Sequence, residues 1–304
     1  MPPKYITFLR TMNIKPTDIV LEIGSGNNPN PRSDILCDRY LSDDGERAGE
    51  FSIVIDRSMV VADGYHLPFD DKAFDYVICS HILEHMDDPK RFIAEVVRVA
   101  KSGYIEVPSA LSERVFGWNF HHWYCSVESG VLMLRRKTEG EQFKGFFHRL
   151  IAQTIWFRRF FEKYEHEMYV RYEWNGSVNL CVDTHEASKT WVENLDRSAW
   201  KLLQQAKPDF IPDATFYIYW MMRRVKRKCI KTLRLLLWNV QINVAPSRII
   251  ARLLTILRCP LCFANPLIYV NGTNVKCSNC GNHFPVTNKT IPVLLSKKQI
   301  TQGY

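Results

Sequence analysis

The sequence has no acidic residue after Asp213 and no uncharged stretch approaching the roughly 20 apolar residues that cross a membrane. It begins Met1-Pro-Pro-Lys-Tyr-Ile-Thr-Phe-Leu-Arg10, without the apolar segment of a secretion signal, so the chain is expected to be neither secreted nor integral to a membrane. Internal repeats and low-complexity segments are absent. Its 304 residues are 46% hydrophobic, 12% aromatic and 24% charged, which excludes disorder and collagen-like structure and predicts about two domains. Nine cysteines are too few and too scattered for a disulfide scaffold, yet four form a tight double pair near the end. That pattern predicts a reducing compartment and a bound metal.

The missing acids leave 14 Lys and Arg unopposed beyond Asp213, while the first 213 residues carry 26 basic and 32 acidic groups, a net of −6. The overall +8 therefore conceals an acidic body and a basic tail. Such a tail suits an anionic partner, either a membrane surface or RNA.

Asp18 to Ile23 is a short apolar run ending in Gly24-Ser-Gly26, the pattern of a buried strand and a glycine turn. Further strands are predicted at Ile35 to Cys37, Met59 to Ala62, Tyr76 to Cys79 and Tyr104 to Val107. A helix is predicted at Pro89 to Ala100, with Phe92, Val96 and Val99 on one face. Fully apolar strands of this kind indicate a parallel sheet covered on both faces, a doubly wound α/β fold. An aromatic insertion, about 110–168, should carry a hairpin around Glu128-Ser-Gly130 and a helix over Gly145 to Tyr164. Phe116, Trp118, Phe120, Trp123 and Tyr124 within it read as local core. Asn175-Gly176 predicts a second hairpin joining Met168–Trp174 to Ser177–Val182 and finishing the sheet. Helices follow at Ala187–Ala206 and between Asp213 and Leu257, broken near Asn243 to Pro246. The expected division is 1–207, a basic helical linker at 208–257, and a metal ribbon with tail at 258–304.

A strand ending in Glu22-Ile-Gly24-Ser25-Gly26 puts a sharp turn and backbone amides at the carboxyl edge of the sheet, where open α/β folds bind ligands. A nucleotide-like ligand there needs a carboxylate for its ribose, for which Asp38 is preferred over Asp56, and a partner for its base, for which Asp63 with Gly64 is placed. Leu21-Glu-Ile-Gly-Ser-Gly26, Asp63-Gly-Tyr-His-Leu-Pro-Phe69 and Phe74-Asp-Tyr-Val-Ile-Cys-Ser-His-Ile-Leu-Glu-His85, in that order, resemble the class I S-adenosylmethionine-dependent methyltransferases, in particular the type 11 group, over roughly Ile14 to Ser109. The resemblance implies S-adenosylmethionine as cofactor, with Glu22, Gly24, Ser25, Gly26, Asp38, Asp63, Gly64 and Ser80 around it. Two departures stand out: Asn28 replaces the third glycine, and Asn27-Asn-Pro-Asn-Pro31 leaves little room for the usual first helix.

Methyl transfer from a sulfonium is an in-line displacement, and a hydroxyl acceptor must also lose a proton. His81 is the first candidate to face the acceptor, followed by His121 and His122, with Glu106 or Ser109 as pocket-lining residues. Each has a structural alternative as a loop tie or cap.

Cys259-Pro-Leu-Cys262 and Cys277-Ser-Asn-Cys280-Gly281 form a C-x2-C-x14-C-x2-C array, the spacing of a structural zinc site with four thiolates. With His283-Phe-Pro-Val286 and Ile291-Pro-Val-Leu-Leu295, the ribbon resembles the small zinc-ribbon activator subunit of transfer-RNA and release-factor methyltransferases. Before it, Arg223, Arg227, Lys231 and Arg234 share one helical stripe and Val225, Cys229, Leu233 and Leu236 the opposite one, the pattern of a membrane-surface helix or of a helix packed on its own protein.

The sequence thus predicts a methyltransferase acting on a hydroxyl of a glycan or lipid-linked saccharide. An RNA methyltransferase and a non-catalytic methyltransferase-like scaffold are the alternatives. Its expected place is the cytoplasm, peripheral at the inner face of the membrane if the tail meets lipid.

Overall fold

The structure, a computed structural model, describes residues 12–41, 52–117, 119–137, 151, 154–205, 214–270, 272–296 and 299–300. Strands β1 (Val20–Ile23), β2 (Ile35–Asp38), β3 (Met59–Ala62) and β4 (Phe74–Ser80) precede helix α1 (Pro89–Val99), strand β5 (Ala100–Pro108) and helix α2 (Ala110–Phe116). Strands β6 (Trp123–Glu128), β7 (Val131–Arg136), β8 (Tyr169–Asn175) and β9 (Leu180–Glu186) follow. Last come β10 (Leu267–Val270), β11 (Asn274–Cys277), β12 (His283–Thr287) and β13 (Ile291–Leu294). The described residues form two compact units: one within 17–80, 91–103 and 225–304, the other within 1–16, 81–90 and 104–224.

The first unit is built on β1 and β3, which are buried along their whole length because Val-Leu-Glu-Ile and Met-Val-Val-Ala offer apolar side chains to both faces. β1 pairs in parallel with β2 on one side, Glu22 opposite Leu36, and with β4 on the other, Glu22 opposite Ile78. Consecutive strands thus leave β1 in opposite directions, which opens a crevice at its carboxyl end. Among the described residues, helix cover is sparser than a doubly wound sheet predicts. Among the described residues the link from β1 to β2 is made of turns alone, because Pro29 and Pro31 remove backbone donors a helix would need.

The cysteine segment extends this same sheet. β10, β11 and β12 form an antiparallel meander, and β13 pairs antiparallel with β12 and parallel with β3, Val293 opposite Val61. Ile291, Val293 and Leu295 share a core with Leu36, Met59 and Val61. Burying six such side chains supplies on the order of 10 kcal/mol of gross hydrophobic stabilisation. The unit also contains residues 225–244 of the long helix Ala214–Val244, followed by the helix Pro246–Leu254.

In the second unit β6, β7 and β9 form a separate sheet, and the later residues of β5 pair with β8. Phe116, Phe157, Phe160 and Met168 pack together, with Phe157 and Phe160 on the helix Ile155–Lys163. That helix is the described part of the predicted 145–164 segment. The hairpin predicted at Asn175-Gly176 is corrected. Gly176 does reverse the chain at φ +75°, with a single bridge between Asn175 and Ser177. β9 then pairs in parallel with β7 instead, Leu132 opposite Leu180, while β8 follows β5.

Candidate functional site

The glycine turn leaves β1 with Gly24 at φ +68° and Gly26 at φ +51°, a backbone that side-chain-bearing residues rarely adopt. A side chain added at Gly26 would meet nothing within 4 Å, so the turn faces open space. Between the glycines, Ser25 Oγ is buried and has no hydrogen-bond partner among the described residues. An open glycine cradle with an unsatisfied hydroxyl is the chemistry that a polar ligand completes. Glu22 lies beneath it and accepts from the Asn30 N–H at 2.8 Å and the Ser33 hydroxyl at 2.7 Å. Burial pushes its carboxyl up to about 7 despite those bonds and the nearby Arg57.

Asp38 ends β2 and accepts from the Gly26 N–H at 3.4 Å, which ties the second acid to the first turn. Asp56, its rival as ribose ligand, is engaged by the Arg57 guanidinium at 2.7 and 3.0 Å. Asp63, just past β3, accepts from the Tyr65 N–H at 2.9 Å, and its other oxygen takes the Gln299 side-chain amide with Arg39 at 3.8 Å. Gly64 fits tightly beside it, since a Cβ there would stand 3.0 Å from the Phe92 ring, which would have to give way. These residues belong to one unit, and Ser80 closes its β4.

His81 follows Ser80 in the chain and belongs to the second unit. It sits at φ +57°, a left-handed conformation whose cost a non-glycine residue bears when its surroundings hold it there. Its N–H donates to the Glu106 carbonyl at 2.8 Å, its Nδ1 lies 3.3 Å from Glu84 Oε1, and its Nε2 lies 3.8 Å from Glu106 Oε1. The side chain remains 43% exposed. Burial works against the imidazolium, but Glu84 and Glu106 outweigh it and raise His81 above its ordinary 6.5. Glu106 is itself fixed, accepting from the Tyr104 hydroxyl at 2.6 Å and from Arg171 Nε at 2.8 Å, and Tyr169 packs edge-on to His81. Tyr104, Tyr169 and Arg171 were not predicted from the sequence. Only the polar positions alternating along β8 hint at Arg171.

His121 is buried, its Nδ1 2.6 Å from Glu113 Oε2, and Lys137 holds the other oxygen of Glu113. His122 is partly exposed, 3.4 Å from Asp87, and its N–H donates to the Glu84 carbonyl. Ser109 caps α2, accepting from the Ser112 N–H. Thus His81 and Glu106 share one network, His121 and His122 flank Glu84 from the hairpin side, and Ser109 serves the helix.

The four sulfurs of Cys259, Cys262, Cys277 and Cys280 lie within 4.8 Å of one another, with Cys259–Cys280 and Cys262–Cys277 both at 3.6 Å. Thiolates around tetrahedral zinc at about 2.3 Å stand roughly 3.8 Å apart, so the donor set fits that ion. The Ala264 N–H and the Asn279 amide draw the Cys262 thiol down to about 6, while burial pushes Cys259 up to about 12. Arg258, beside the first knuckle, anchors it by donating its N–H to the Pro68 carbonyl and by pairing with Asp71 at 3.2 Å.

On the long helix, Lys231 donates to the Asn27 carbonyl at 3.2 Å and Arg234 to the Pro31 carbonyl at 3.0 Å. The basic stripe is therefore turned, in part, onto the turn below the glycine cradle. Val225, Leu233, Leu236, Val240 and Val244 are exposed instead.

Residues 38–105 match the model of a methyltransferase domain. A 95-residue stretch is 35% identical to ajmaline N-methyltransferase of Rauvolfia serpentina, covering 25% of this chain and 33% of that protein. The chain thus spans about one third of the length of this curated relative. Among solved structures, an S-adenosylmethionine-dependent methyltransferase of Methanosarcina mazei overlaps at 20% identity and a TM-score of 0.24, covering 32% of this chain and 55% of that one. A chain from the complex of the Haloferax volcanii Trm112 methyltransferase activator with a methyltransferase overlaps at 18% identity and a TM-score of 0.27, covering 38% and 66%. No described helix is long and apolar enough to cross a membrane.

Proposed function

We propose that the protein is an S-adenosylmethionine-dependent methyltransferase acting on a hydroxyl, with a structural zinc ion in its four-cysteine ribbon. The observation that carries the reading is the open glycine turn with its unsatisfied buried Ser25 hydroxyl, followed in strand order by Asp38 and Asp63, within a chain whose residues 38–105 match a methyltransferase domain. Glu22, Gly24, Ser25 and Gly26 would hold the amino-acid end of the cofactor, Asp38 its ribose, and Asp63 with Gly64 its base. Ser80 closes the same edge. The bound cofactor supplies an electrophilic methyl group.

The chain's own work lies on the acceptor side. His81 takes the acceptor proton at Nε2, since its Nδ1 is turned to the Glu84 carboxylate at 3.3 Å. Arg171 and Tyr104 hold Glu106 in place, so that a charge forming on His81 meets a carboxylate already oriented. The His122 N–H fixes the Glu84 backbone, and His121 stands beside it, held by Glu113. For the acceptor itself, a lipid-linked saccharide is favoured over RNA, because the long helix presents its apolar residues outward and spends Lys231 and Arg234 on backbone carbonyls.

Isothermal titration of the full chain with S-adenosylmethionine and S-adenosylhomocysteine tests this directly. Micromolar binding is expected, weakened at least about tenfold by Asp63→Ala through loss of a charge-assisted hydrogen bond. A folded wild-type chain that binds neither compound would leave the scaffold reading in its place.

A further inference from the structure

Glu84 is the most deeply buried acid near the candidate acceptor side, 1% exposed, and neither of its carboxylate oxygens accepts a hydrogen bond among the described residues. His81 makes an ion-pair contact with Oε1 alone. A buried carboxylate left so poorly solvated is costly unless a positive centre meets it. The side chains of His85 and His121 stand against it, and one donor atom from each of the three residues lies within 4.8 Å of the others. We propose that Glu84, His85 and His121 bind a divalent transition-metal cation.

The surroundings are those of a prepared ligand set. Glu113 holds His121 through Nδ1 at 2.6 Å, and Lys137 holds Glu113, an outer carboxylate that fixes the ring and leaves Nε2 for an ion. His85 is clamped between rings, stacked on Phe120 at 5.4 Å with planes 10° apart and edge-on to His121 at 4.7 Å. Glu84 and His85 are neighbours on the helical turn Leu83–His85. His121 arrives from the hairpin, which is fastened to that turn by the His122 N–H on the Glu84 carbonyl at 2.8 Å and by Trp123 Nε1 on the Met86 carbonyl at 2.7 Å. Two separate chain segments are therefore locked together where the three donors converge. Around an ion bonded at about 2.0–2.2 Å, donors stand roughly 3–3.5 Å apart, a separation the converging side chains can reach by small rotations.

Two imidazoles and one carboxylate suit Zn2+, Mn2+, Fe2+ or Co2+, and three protein donors leave positions open for water or a substrate oxygen. A hydroxyl on such an ion loses its proton far more readily than in water. This role rests on the methyl-transfer reading, whereas the binding site does not.

The test is Mn2+ titration of the zinc-loaded full chain, followed by electron paramagnetic resonance. Manganese favours oxygen and nitrogen donors over the thiolates of the ribbon, so the cysteine site stays with zinc. One Mn2+ per chain with nitrogen hyperfine couplings from imidazole is expected. Glu84→Gln and His121→Ala should abolish binding, and Glu113→Gln should weaken it by about 10–100-fold, with circular dichroism unchanged. The proposal is overturned if the wild-type chain binds no Mn2+, if the bound ion shows no imidazole nitrogen, or if folded Glu84→Gln and His121→Ala chains bind as tightly as wild type. Should both variants fail to fold, the nitrogen couplings of the wild type decide. Metal binding without any affinity for S-adenosylmethionine would leave the site standing and remove the methyl-transfer reading.

Discussion

The four cysteines are alike, come from two knuckles 14 residues apart, and offer enough donors to fill the coordination sphere of a tetrahedral ion. Glu84, His85 and His121 are unlike one another, come from a helical turn and a hairpin more than 30 residues apart, and supply only three donors. The contrast separates two uses of a metal-capable cluster. A closed set of soft donors holds the chain together, and an open mixed set can accept a further ligand and change its protonation. The fold agrees with that division. The cysteine strands continue the sheet that carries the glycine cradle, while the histidines stand beside His81 and its carboxylates.

The largest effect expected from breaking this contrast is at the ribbon. Structural zinc in small domains carries about 10–16 kcal/mol of apparent binding free energy that is also folding free energy. Chelation, or Cys259→Ser with Cys277→Ser, should melt the ribbon and release β13 from β3. Ile291, Val293 and Leu295 would then leave the core they share with Leu36, Met59 and Val61, and affinity for S-adenosylmethionine should fall with them. Thermal unfolding with and without chelator, paired with cofactor titration, checks this. An unchanged melting temperature would show that the cysteines do no structural work.

Next in size is the loss of His81. A positioned general base contributes about 10²–10⁴-fold to turnover, so His81→Ala should lower kcat by that range and leave cofactor affinity within about twofold. The pH dependence gives a sharper form. Only neutral His81 accepts a proton, and its pKa is raised above 6.5, so kcat should climb as pH rises through that higher value. The same raised pKa means that the ion pair with Glu84 stabilises the fold below pH 6.5 and that this contribution is lost as pH passes the folded-state value. Replacing His81 with Asn should flatten both curves. A rate profile unchanged in that variant would point to the metal-bound hydroxyl, or to an acceptor that needs no base.

What could be read from the sequence follows from how local each feature is. The strands β1, β3 and β4 announce themselves because a parallel strand buried on both faces must be a continuous apolar run. The cysteine set is legible because its spacing is local, and Gly24-Ser25-Gly26 because glycine adopts the turn's positive φ without steric cost. The Asn175-Gly176 signal was equally local, and there it misled: the turn forms, but strand pairing is decided by distant edges, those of β5 and β7. Arg171, which orients Glu106 from β8, carries only the weak signal of strand alternation, since its partner lies across strands. His121 is a catalytic candidate in the sequence as a histidine of the aromatic insertion, but Glu113, which fixes its ring, emerges only from the folding of α2 against the hairpin.

The smallest expected effect concerns the long helix, where the sequence left a membrane surface, RNA and the protein itself as partners for the basic tail. Lys231 and Arg234 are engaged by the carbonyls of Asn27 and Pro31, while Lys226 and Lys228 stay exposed alongside an apolar stripe between residues 225 and 244. Val225, Leu233, Leu236, Val240 and Val244 fall on one stripe and are each more than half exposed. A stripe of this kind, on a segment with no acidic residue, suits an anionic bilayer, where apolar side chains enter the headgroup boundary and nearby lysines and arginines meet phosphate. Leu233→Ser with Leu236→Ser removes apolar area worth about 1–3 kcal/mol, which should weaken partition onto anionic vesicles by roughly 5–150-fold and leave cofactor binding in solution unchanged. If the same variant instead binds vesicles like wild type, and the wild-type chain binds RNA with an affinity falling steeply with salt, phosphate contacts rather than the apolar stripe govern the tail, and the acceptor shifts to RNA.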